Sequence, residues 1–92
     1  MPKERIGEHV YVFYSDLYAQ VTATVIVASR QVVIVDTLLY PSEGEEVAEF
    51  ATRGSAEVRY VINTHGHLDH VANNYLFPDA EIIAHSEVRR AM

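Results

Sequence analysis

Between Val21 and Ser29 apolar and polar positions alternate loosely. Val21, Ala23, Val25 and Val27 fall on one side, and Thr22, Thr24, Ile26 and Ala28 on the other. A period of two predicts a strand with one set on each face of a sheet. The β-branched and aromatic run His9 to Tyr14 predicts a strand before it, with Ser15-Asp16 as the turn between them. Arg30-Gln31 reads as a hairpin turn into Val32-Val33-Ile34-Val35, which is apolar on both sides and so predicts a central strand. Asp36 ends that run abruptly. Beyond Pro41 the period changes. Ser42-Glu43-Gly44-Glu45 has the form of a capping box, with Ser42 as N-cap and Glu45 at the third helical position. Val47, Phe50 and Ala51 continue as an apolar stripe and Gly54 follows as a terminator, so a helix is predicted from Glu43 to Arg53. Val58–Asn63 reads as a strand and 69–76 as a short helix stopped by Phe77-Pro78-Asp79. Glu81 to Ala84 reads as another strand, and Ser86 as the cap of a helical turn over 87–92. Residues 1–8 are polar and are expected to form a flexible arm.

The resulting order is β-β-β-α-β-α-β-α in a single domain over residues 1–92. Strand–helix–strand steps at this spacing imply right-handed crossovers and partly parallel pairing. The fold class is therefore α/β with an α+β-like start, a mixed sheet carrying its helices on one face. No further segment is expected to cover the other face. Val25, Val27, Val33 and Val35, with neighbours on Val10–Tyr14 and Val58–Ile62, supply more apolar area than one helical layer hides. A homodimer or larger assembly, or a complementing second half, is the expected solution.

Charge narrows the function classes. Seven Lys and Arg against thirteen Asp and Glu give a net charge of −6, which disfavours nucleic acid or an anionic membrane as the main partner. There is no cysteine, so any metal must be held by His and carboxylate. The first residues lack an apolar core like that of a secretion signal, and no apolar run reaches membrane-spanning length. A soluble cytoplasmic protein is the expectation.

The candidate chemistry is concentrated in Thr64-His65-Gly66-His67-Leu68-Asp69-His70. Imidazole and carboxylate are the ligands zinc and its first-row neighbours take when no thiolate is present. In an extended segment residues two apart point the same way, so His65 and His67 can close on one ion. Asp69 and His70 fall where the chain turns helical and can face a second. The competing reading is a solvated, pH-sensitive loop, but the Asp within the cluster has no packing rationale. Asp36, directly after buried apolar residues, needs a partner. It reads either as a turn or N-cap residue or as part of the site. His85, at a strand-to-helix junction, reads as a hydrogen-bonded structural residue, and His9 as a surface one.

Residues 64–70, preceded by an apolar strand ending in Asp36, resemble the signature of the metallo-β-lactamase superfamily of αββα metal-dependent hydrolases. The resemblance covers roughly Val10 to Met92, and it is to the N-terminal half only. It implies that His65 and His67 serve one metal together with a His from a second half. It further implies that Asp69 and His70 serve another, with a further His and a bridging Asp from that half. Asp36 is implied as a residue behind the ligands that orients the His loop. The cofactor implied is Zn²⁺, one or two ions. Asp69 is implied as the catalytic residue that orients water and shuttles its proton during hydrolysis of a small-molecule ester, amide or lactam, thioester or phosphodiester. The alternative is a metal-binding half-domain without turnover. One departure stands out: Ala72-Asn73 occupies the place of a Gly-rich turn, which bears on how closely helix and metal loop approach.

Overall fold

Six strands lie side by side in sequence order in the computed structural model, which describes residues 1–19 and 21–86. β1 (Lys3–Arg5), β2 (Val10–Tyr14), β3 (Thr22–Val27) and β4 (Gln31–Val35) form an antiparallel meander. α1 (Pro41–Ala51) then crosses over, and β5 (Glu57–Asn63) joins β4 in parallel. A second crossover through α2 (Leu68–Val71) and a 3₁₀ turn (Asn74–Leu76) brings β6 (Glu81–Ala84) parallel to β5. The mixed sheet and its parallel second half are as the β-α-β spacing predicted. The helical turn expected over 87–92 lies outside the described residues.

Strand alternation sorts the side chains. Tyr11, Val25, Ile34, Val61 and Ile82 are partners across five strands and point toward α1. There they pack with Phe13, Ala23 and Val32 against Val47 and Ala51 of the helix and against Leu38 and Phe77. The opposite face carries two rows in register. Val12, Thr24, Val35, Ile62 and Ile83 make one, and Val10, Ile26, Val33, Tyr60 and Glu81 make the other. Of the valines expected on the open face, Val33 and Val35 lie there, whereas Val25 is fully buried on the helix side and Val27 packs there too. The period of two separates the two sets but does not say which one α1 takes.

Three local expectations are corrected. Residues 1–8 are not simply an arm, because Lys3–Arg5 pair with Tyr11–Phe13 as an edge strand. A strand whose three residues are all exposed and charged leaves no trace in the hydrophobic pattern. The capping box does not form either. α1 starts at Pro41, whose missing N–H and fixed φ suit the first helical position, with Tyr40 as N-cap and no side-chain cap. The helix also stops earlier, at Thr52, which satisfies the Ala48 carbonyl with both its backbone N–H (3.0 Å) and its hydroxyl (2.8 Å). Finally, the segment after His67 is a single helical turn followed by a 3₁₀ turn instead of one continuous helix.

Candidate metal centre

The C-terminal ends of β4, β5 and β6 lie together at one edge of the sheet, because these three strands run parallel. In such sheets the loops leaving those ends build the site. The loop after β4 opens on Asp36, and the loop after β5 carries the His cluster. Asp36 adopts φ 64, a left-handed conformation that Asp tolerates better than most residues. Its backbone N–H still donates to the Ile62 carbonyl at 2.8 Å, so the strand ladder continues through the bend.

The Asp36 carboxylate is buried and takes three hydrogen bonds. Oδ1 accepts the Thr64 backbone N–H at 2.8 Å, while Oδ2 accepts the Thr64 hydroxyl at 2.5 Å and His70 Nδ1 at 2.9 Å. His65 Nδ1 lies 2.9 Å from the same Thr64 hydroxyl. With Asp36 ionised, these contacts assign a role to each ring nitrogen. An ionised carboxylate only accepts, so His70 must donate from Nδ1. Thr64 gives its single proton to Asp36, so its oxygen can only accept from His65 Nδ1. A neutral imidazole that donates from Nδ1 has its lone pair on Nε2, the arrangement in which the ring is presented to a metal.

Ligand-type atoms of Asp36, His65 and His70 all lie within 4.8 Å of one another. The His65 and His70 rings are 4.4 Å apart between centroids. The His67 ring is nearly parallel to that of His65, at 25°, with centroids 6.4 Å apart. His65 and His67 are exposed, and His70 is half-buried. His67 occupies the N-cap of α2 and its carbonyl accepts the His70 N–H at 2.9 Å. Asp69 falls within α2, but its side chain lies outside the described set. Asp36 already accepts three hydrogen bonds, one of them directly from His70 and two from Thr64, which leads on to His65, so its carboxylate anchors the loop that carries both imidazoles. The donor chemistry and tautomers fit zinc or another first-row divalent ion.

The sequence pointed to the imidazoles and to Asp36 behind them but missed the other residues that hold them. Thr64 stood in the motif without a role. Behind it, the His70 carbonyl accepts the Thr37 N–H (2.8 Å) and Asn63 Nδ2 (3.3 Å) and lies 3.2 Å from the Thr37 hydroxyl. Asn63 and Asn74 pair through their amides at 2.7 and 3.2 Å. No periodicity carries these partners. The one available signal was the density of Thr and Asn flanking the His cluster.

The family model of the metallo-beta-lactamase superfamily matches residues 18–91. This chain belongs to the metallo-β-lactamase superfamily. Among solved structures it resembles the DIM-1 metallo-beta-lactamase, with TM-score 0.79 and 19% identity over 97% of this chain and 44% of that one. The metallo-beta-lactamase from Hirschia baltica gives TM-score 0.79 and 19% identity, over 97% and 45%. The enzyme from Erythrobacter litoralis gives 0.76 and 20%, over 96% and 42%. At these identities the likeness is one of fold. The chain spans less than half the length of the structures it matches. No curated protein sequence matches it. Among the described residues no helix is long and apolar enough to cross a membrane.

Proposed function

We propose that this chain is the metal-binding half of a zinc-dependent hydrolase, with His65, His67, Asp69 and His70 as ligands and Asp36 as the residue that orients them. The observation carrying this reading is the hydrogen-bond path from His65 through Thr64 to Asp36 and on to His70. When bound, the ion supplies Lewis acidity toward a carbonyl or phosphoryl oxygen and makes water a better nucleophile near neutral pH. Asp36 and Thr64 keep the Nδ1 protons in place, and Asp69 orients the attacking water and carries its proton. The substrate class is an ester, amide or lactam, thioester or phosphodiester. A zinc titration at neutral pH tests the reading: wild type should bind and His65→Ala/His67→Ala should not. Equal affinity for the two would remove it.

The second reading is a metal-binding half-domain that assembles without turnover of its own. The sheet face away from α1 supports it, since its two cross-strand rows hold Val10, Ile26, Val33, Val35, Tyr60 and Ile62, all half-exposed. A second β-rich layer, either a complementing half or another copy of this chain, would cover that face. A hydrolase-substrate panel separates the two readings, because only the first predicts turnover once the site is complete.

A further inference from the structure

We infer that Asn73 is a positioning residue of the metal centre, acting through the turn that joins β4 to α1. The inference rests on the metal-site reading above. Asn73 is fully buried, and its side-chain Nδ2 faces three main-chain carbonyls of that turn, those of Thr37 at 2.8 Å, Leu38 at 3.2 Å and Tyr40 at 3.1 Å. Two N–H bonds are thus shared among three acceptors. The amide orientation is forced, since exchanging oxygen and nitrogen would set an acceptor against three acceptors. Asn73 Oδ1 has no hydrogen-bond partner among the described residues, so the side chain is held by its donor side alone.

Three carbonyls converge on one nitrogen because the turn doubles back. Asp36 and Leu38 both take left-handed φ values, 64 and 70. Leucine avoids this region, because Cβ approaches the carbonyl oxygen. A buried Leu38 keeps such a conformation only where its surroundings over-determine it. The Asn73 amide supplies part of that constraint. Its backbone N–H adds another tie, donating to the Thr37 hydroxyl oxygen at 3.2 Å.

The turn so held carries two of the contacts on His70. Thr37 fixes the His70 carbonyl through its N–H, and Asp36 fixes the ring through Nδ1. Loosening the Asn73 clasp therefore acts on the ligand at two points without touching it.

α1 also packs directly against this side chain. A Cβ at Gly44 would stand 2.3 Å from Asn73 Cγ and 2.4 Å from Nδ2. The glycine that this close approach needs thus sits on α1 and not in the His segment, where Asn73 replaces the expected glycine-rich turn.

A purely structural plug would also be buried, so the test must read the site. Titrate Co²⁺ into wild type, Asn73→Ala and Val47→Ala below their melting temperatures, following the visible d–d bands. Val47 is buried on α1, outside this network, and controls for general loss of stability. In the metal-free proteins, follow hydrogen exchange at the Thr37 amide. Asn73→Ala should lower Co²⁺ affinity about 10–100-fold, the usual effect of removing support behind a ligand, and speed Thr37 exchange well beyond Val47→Ala. Equal behaviour of the two variants in both measurements overturns the inference. Should wild type bind no Co²⁺, the metal reading fails by itself, and the Thr37 exchange rates still decide whether Asn73 holds the turn. If Asn73→Ala does not fold, Asn73→Ser, which keeps one donor, carries the same comparison with intermediate effects expected.

Discussion

The Glu43 carboxylate, in the first turn of α1, accepts the Ser15 hydroxyl at 2.5 Å across 28 positions of sequence. Its second oxygen accepts the Asp16 backbone N–H at 2.8 Å. The Ser15 oxygen in turn accepts the N–H groups of Leu17 (3.2 Å) and Tyr18 (2.9 Å). One buried carboxylate thus ties the β2–β3 turn to the helix, and its charge suits the helix N-terminus. Glu43→Ala leaves the Ser15 hydroxyl and the Asp16 N–H without their acceptor and should cost about 1.5–3 kcal/mol, the range for hydrogen bonds to a charged group. The exposed Glu45→Ala should change stability by less than about 0.5 kcal/mol. Urea denaturation of both variants checks this. Equal midpoints would mean that the Glu43 contacts contribute nothing.

The same residue shows where the sequence was legible and where it was not. Elements marked by periodicity, such as the alternation in β3 and the apolar run of β4, were readable because burial imposes that pattern directly. The His cluster stood out because its imidazoles lie close in sequence, and the structure sets His65 and His70 together with Asp36. The capping box was misread because Ser42 and Glu45 satisfy a local rule that Pro41 overrides. Glu43, on the other hand, has its partner in a distant turn. Asn73 with Gly44, and Asp36 with Thr64, are likewise pairs made by the sheet topology. Nothing within a helical turn of either residue announces them.

Gly44→Ala runs against the usual rule. Inside a helix this change ordinarily stabilises by up to about 1 kcal/mol. Here the new Cβ would meet the Asn73 side chain at 2.3 Å, and that side chain is locked by three carbonyls. Overpacking of this kind costs about 1–3 kcal/mol, so the net effect should be a lower melting temperature. Asn73→Gly removes every atom in the clash and should make Gly44→Ala harmless in that background. A stabilising Gly44→Ala single variant would mean that α1 does not lie this close.

Asp36→Asn tests the proton bookkeeping. If the new amide oxygen keeps the Thr64 N–H, its NH₂ faces the Thr64 hydroxyl and His70 Nδ1. His70 must then accept at Nδ1 and carry its proton on Nε2, the wrong tautomer for a metal. Zinc affinity should fall about 10–100-fold. Nitrogen chemical shifts of the His70 ring in the metal-free protein should show Nδ1 protonated in wild type and Nε2 protonated in the variant. An unchanged tautomer would place the control of this ring elsewhere.

Turnover by the 92-residue chain should be poor even with zinc bound. The His loop belongs to a single crossover at one sheet edge, and catalysis needs a fully built set of ligands and supporting contacts. Generic ester, lactam and phosphodiester substrates should be cleaved hardly faster than by aqueous zinc. Robust zinc-dependent turnover that Asp69→Ala abolishes would show that this half completes its own site.

The last prediction concerns the face of the sheet that α1 leaves uncovered. Its two rows run across the sheet in register, Val12-Thr24-Val35-Ile62-Ile83 and Val10-Ile26-Val33-Tyr60-Glu81. Eight of these ten positions are apolar or aromatic, and Ile83 is 44% exposed. A continuous apolar surface of this kind marks an interface or an aggregation hazard. Another copy packed about a two-fold axis would bury the same rows on both sides, sheet against sheet, with neither backbone disturbed. The chain should therefore sediment as a homodimer or larger species at micromolar concentration. Ile26→Lys places a charge in the middle of the face but away from the α1 side, so it should shift the protein to monomer while leaving its far-ultraviolet dichroism unchanged. A cooperative wild-type monomer at that concentration would show that these rows tolerate water, and that the face needs no partner.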